Sequence, residues 1–166
     1  MLSVIIIAVW YKKHAKDIRL IILLIILSLV FTFGYKYILI VGDSMDPSNK
    51  NLQVVMIDKL SYDFEPPKRG DVIVFYDYED NDFLIKRVVG MPGETVQIID
   101  GWIYIDERLC VDKFSDIIIT DASGIYGLNV SPDFLKEKEY WVIGDNRNES
   151  WYGVIHEDQI VGQHYE

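Results

Sequence analysis

Leu20-Ile21-Ile22-Leu23-Leu24-Ile25-Ile26-Leu27-Ser28-Leu29-Val30-Phe31-Thr32-Phe33-Gly34-Tyr35 runs without a single charge, and most of it is Ile and Leu. A helix crossing a bilayer needs about 20 apolar residues. Counting Lys36 as a residue that snorkels to the interface, residues 20–36 read as a slightly short transmembrane helix. The run exceeds the ~7–15-residue core of a cleavable leader, and no Ala-x-Ala-like site follows it. It reads as a retained anchor.

Outward from this run the chain divides by charge. Through Val41 there are five basic residues (Lys12, Lys13, Lys16, Arg19, Lys36) against one acid, Asp17, a balance of +4. The total is −10, so the remainder carries −14. The basic patch ahead of the anchor places residues 1–19 in the cytoplasm and residues 37–166 on the other side, as a single-pass protein of the cell membrane. Met1 to Trp10 is apolar but too short to span, and reads as a membrane-surface segment. The acidic remainder argues against nucleic acid as a partner, because a phosphate binder needs a basic face. Cys110 is the single cysteine, which excludes an intrachain disulfide. No Cys/His spacing resembles a zinc site.

Beyond the anchor the pattern turns to strands. Ile38–Val41, Leu52–Ile57, Asp71–Tyr76, Phe83–Val89 and Tyr140–Ile143 are short, β-branched or aromatic runs. Thr95–Asp100 and Trp102–Asp106 flank Asp100-Gly101, a hairpin signal. Asp77 to Asp82 reads as a solvated loop. Residues 112–139 show no periodicity and read as containing an insertion. The expectation is a mostly β protein: one N-terminal transmembrane helix, then an all-β domain.

Two positions stand out chemically. Gly42-Asp43-Ser44-Met45-Asp46-Pro47 follows a short strand and presents Ser44 at a turn, as a nucleophile or as a plain turn cap. A nucleophilic serine needs a base. In a strand, Leu84, Lys86 and Val88 share one face, so the Lys86 amine is set between aliphatic neighbours. Desolvation there lowers its pKa, and a neutral amine can act as a general base. The alternative is an edge-strand lysine that faces water, with Arg87 turned inward. Arg cannot deprotonate, so burying it is the costlier choice, and the pattern favours Lys86 inward and Arg87 outward. A Ser-His-Asp arrangement has only His156 and His164 to draw on, and neither has a distinctive setting.

Four segments in order resemble the blocks of the bacterial type I signal peptidases. They are Gly42–Pro47, Arg69–Phe75, Ile85–Glu94 and Gly144-Asp145-Asn146-Arg147-Asn148-Glu149-Ser150. With the anchor, the likeness covers nearly the whole chain. The resemblance implies a signal-peptidase-like β catalytic domain, with Ser44 as acylating nucleophile, Lys86 as general base and the Ser44 backbone N–H in the oxyanion hole. Gly42 stands where some members carry a serine that supplies a second donor. Ser150 would orient the lysine amine. Met45 would pack by the site, and Asp145, Asn146 and Arg147 would support the loop. Substrates would be signal-peptide-bearing preproteins delivered in the lipid bilayer. No cofactor and no metal are implied.

One departure stands out: the family commonly follows the Ser150 position with an Asp-Ser-Arg element, whereas this chain has Trp151-Tyr152-Gly153-Val154. That leaves open a fully active loop variant or a specialised, attenuated paralogue serving as an assembly factor for surface proteins. A self-cleaving repressor-type Ser/Lys protease is the remaining rival, and the anchor counts against it.

Overall fold

The computed structural model describes residues 2–112 and 128–165, with side chains from His14 onward. The chain divides into two compact units, Met1–Lys36 and Tyr37–Glu166.

The first unit is one long helix, α1 (Leu2–Gly34). Within it His14–Gly34 is long and apolar enough to cross a membrane, with a mean hydropathy of 2.3. The apolar start, the basic patch and the uncharged run all lie in this one continuous helix. The reason is the absence of a breaker. No Gly or Pro occurs before Gly34, and the Lys, Ala and Arg of the basic patch are good helix formers. The helix stops at Gly34, and Lys36 lies in the strand that follows.

From Tyr35 onward the chain is β. Its elements are β1 (Tyr35–Leu39), β2 (Val54–Asp58), the single-turn helix α2 (Ser61–Phe64), β3 (Val72–Asp77), β4 (Asp82–Gly90), β5 (Thr95–Ile99), β6 (Trp102–Ile105), β7 (Arg108–Leu109), β8 (Val130–Phe134), β9 (Glu139–Ile143), β10 (Tyr152–His156) and β11 (Ile160–His164). A seven-stranded sheet has the order β1-β2-β11-β3-β4-β9-β10, and a four-stranded sheet the order β7-β6-β5-β8. The mostly β expectation holds. Within the expected insertion, residues 130–134 form β8, whereas 113–127 lie outside the described residues.

The sequence of β3 explains its place. Val72, Ile73, Val74 and Phe75 are all buried, which is the continuous apolar run of a strand covered on both faces. Val72 and Val74 pack with Ile40, Met45, Val55, Ile57 and Ile85. Ile73 and Phe75 face the other way, against Val88, Tyr140, Val142 and Ile155. A third cluster under the small sheet gathers Val89, Val96, Ile98, Ile103, Leu135, Trp141 and Ile143. The β5–β6 hairpin turns on Asp100 (φ 49°) and Gly101 (φ 80°), two left-handed residues that match the twist of its strands.

Candidate active site

Strand β4 sits between β3 and β9, in the interior of the large sheet. The edge-strand reading of Lys86 therefore fails. Ile73 pairs with Lys86 and Phe75 with Leu84, so the Lys86 side chain shares a face with Ile73, Phe75 and Leu84. Lys86 is 3% exposed. Its Nζ donates to Ser44 Oγ at 2.7 Å. Burial pushes the amine down to about 8, and the Asp145 carboxylate partly opposes that fall. Near pH 8 about half of the amine is uncharged and able to accept a proton.

Ser44 stands on the loop from β1 to β2. Gly42 turns the chain there with φ 105°, and its N–H is held by Asn51 Oδ1 at 3.1 Å. Met45 is fully buried and pins the turn into the core beside Val74 and Ile85. Ser44 is half-buried, which leaves it open to solvent in part.

The loop between β9 and β10 closes the site from the other side. Asn146 N–H donates to Ser44 O at 3.0 Å, and Asn146 Nδ2 to Asp43 O at 3.2 Å. Gly144 lies so close that an added Cβ would fall 2.1 Å from Ser44 O and 2.2 Å from Ser150 Oγ. The Ser150 hydroxyl accepts from Gly144 N–H at 2.7 Å and donates to Trp151 O at 2.8 Å. These two bonds brace the loop.

Arg87 corrects an expectation. It is buried (5% exposed), as is its neighbour Lys86, because β4 is covered on both faces. Its guanidinium is satisfied: Nε donates to Asp145 Oδ1 at 2.7 Å, Nη2 to Asp145 Oδ2 at 2.6 Å and Nη1 to Gly70 O at 2.6 Å. A longer contact of 3.4 Å reaches Ser48 Oγ on the nucleophile loop. Sequence reasoning turned Arg87 outward by pricing burial without its partner; the motif residue Asp145 was the available signal. Arg147, also buried, donates from Nη2 to Asp112 Oδ2 at 2.7 Å. His156 and His164 have partners of their own. His156 pairs with Asp158 at 2.8 Å. His164 contacts Asn49 Oδ1 at 2.9 Å, and Asn49 N–H bonds Met45 O at the foot of the nucleophile turn.

The family model for signal peptidase, peptidase S26, matches residues 12–165. The chain belongs to that family. As an S26 member it is a peptidase, a hydrolase of the signal peptidase class. It is 32% identical over 161 residues to signal peptidase I of Leptolyngbya laminosa, covering 89% of this chain and 76% of that one. Signal peptidase I U of Bacillus subtilis is 28% identical over 162 residues, with 91% and 86% covered. Signal peptidase IB of Staphylococcus aureus is 29% identical over 154 residues, with 84% and 80% covered. Among solved structures, a signal peptidase I from Enterococcus faecalis is similar with a TM-score of 0.47 and 23% identity, over 60% of this chain and 97% of that one.

Proposed function

We propose that the chain removes N-terminal signal peptides from exported preproteins, with Ser44 as nucleophile and Lys86 as general base. The observation that carries this reading is the 2.7 Å bond from the buried Lys86 amine to the Ser44 hydroxyl. Lys86 takes the Ser44 proton as Oγ attacks the carbonyl before the cut. The tetrahedral oxyanion forms beside the Ser44 N–H, which has no acceptor among the described residues. Collapse expels the new amino terminus, protonated by the Lys86 ammonium. Water, deprotonated by the same amine, then hydrolyses the ester. Gly42 supplies no side-chain donor, so the backbone N–H carries the stabilisation that an oxyanion donor is worth, roughly 3–4 kcal/mol where tested.

Residues 20–36 act as the membrane anchor and residues 37–166 as the extracytoplasmic catalytic domain, with the N-terminus cytoplasmic. Holding enzyme and leader in one bilayer raises their effective concentration. The pairing of Ser44 with Lys86 favours an active enzyme over a non-catalytic assembly factor.

The test is incubation of the detergent-solubilised chain with a leader-bearing precursor, with product masses measured. Cleavage at one site, abolished by Ser44→Ala and by Lys86→Ala in folded protein, is the expected result. Unchanged cleavage in either variant would overturn the dyad.

A further inference from the structure

Trp151 stands where the family pattern carries its Asp-Ser-Arg element, and it builds something in that place. Its ring lies 6.0 Å from that of Phe75. A Cβ on Gly153 would meet the indole at 2.7 Å, so the glycine lets the ring fold back along β10. Phe75 is on the Lys86 face of the sheet, two residues along β3 from Ile73, the partner of Lys86. That step is about 7 Å. Trp151 is also tied to the nucleophile side, because its carbonyl accepts from Ser150, which holds Gly144 against Ser44.

Trp151 and Tyr78 are exposed aromatic walls of a pocket of ≈ 270 Å³, with the buried Phe75 ring beneath and Asp77, Glu79 and Gln159 among the rest of its lining. None of the described lining residues is a cation. Asp77 is 9% exposed and its Oδ1 accepts from Glu79 N–H at 2.9 Å, which fixes the acidic corner. Glu79 and Tyr78 are exposed at the rim. Aromatic walls with a carboxylate at the mouth suit a side chain with an apolar stem and a cationic end.

We infer that this pocket is a substrate subsite for a Lys or Arg within about four residues of the scissile bond, a reach set by an extended peptide at about 3.3 Å per residue. The inference rests on the proposed peptidase activity, and Trp151 and Glu79 are its specificity-determining residues.

The full chain in detergent is assayed on a leader peptide that is Ala at the four positions on either side of the cut, and on variants with one Lys or one Glu at each position. At one position Lys raises kcat/KM about fivefold over Glu. Glu79→Gln, a rim substitution, removes most of that preference and leaves turnover of the all-Ala peptide unchanged. Glu79→Lys reverses it, and Trp151→Ala weakens it through KM. Turnover with no position preferring Lys, or a preference that survives both Glu79 variants, overturns the subsite alone. No turnover of any peptide by the folded wild type overturns the peptidase reading and the subsite with it.

Discussion

Arg87 grips the Asp145 carboxylate through two bonds, at 2.7 and 2.6 Å, one residue along the chain from the amine that faces Ser44. Base strand and closing loop are thereby locked together behind the reacting groups. Removing one partner of such a buried pair leaves an uncompensated charge, at about 3–5 kcal/mol. Asp145→Ala should lower stability by that amount in urea titration. The double change Arg87→Met, Asp145→Leu should recover most of it, because two apolar groups replace both desolvated ions. A double variant no more stable than the single one would refute the account.

With Lys86 as the proposed base, its amine sets the pH dependence of turnover. With burial holding it at about 8, kcat/KM should rise from pH 6 and level off above that value. A limb centred near 10.5, the value of a free lysine, would mean a solvated amine.

The same residue shapes stability. Between about 8 and 10.5 the folded chain carries fewer protons at Lys86 than the unfolded chain, so its contribution to stability improves as pH rises through that window. Below it, burial of the ammonium is a standing cost. Lys86→Met should abolish cleavage yet stabilise the β domain by about 1–3 kcal/mol at pH 7. The gain should shrink toward pH 10.5, read as the difference between wild-type and variant melts.

Gly144→Ala tests the close approach of the two loops. Its methyl group cannot occupy space 2.1 Å from Ser44 O, so the nucleophile turn or the Ser150 loop must move. The expected outcome is a loss of kcat of at least about 10²-fold, since misplacing a reacting group by about 1 Å is that costly. The thermal transition should persist.

Much of the fold could be read from local chemistry. The uncharged Leu20–Tyr35 run, the doubly buried Val72–Phe75 run and the Asp100-Gly101 turn each have one good structural solution. What escaped depended on partners far away in sequence. Arg87 reads as an outward residue until Asp145, 58 positions later, is known to lie beside it. The bonds of Ser150 to Gly144 and Trp151 within its own loop had no signal in the motif either. β10 and β11 carry mixed residues such as Tyr152-Gly153-Val154 and Ile160-Val161-Gly162, whose alternation is too weak to announce a strand. His164 held no signal at all, because its link to the nucleophile turn runs through Asn49.

The position of β11 has a consequence for timing. It lies between β2 and β3, so the hydrogen-bonded ladder from β1 and β2 to β4 runs through residues 160–164, alongside the packing of Met45, Val55 and Ile57 on Val72, Val74 and Ile85. Until that segment has left the ribosome and joined the sheet, nothing in the ladder holds Ser44 at the amine. The strand ladder between the Ser44 loop and Lys86 is therefore complete only once residues 160–164 have been made and paired.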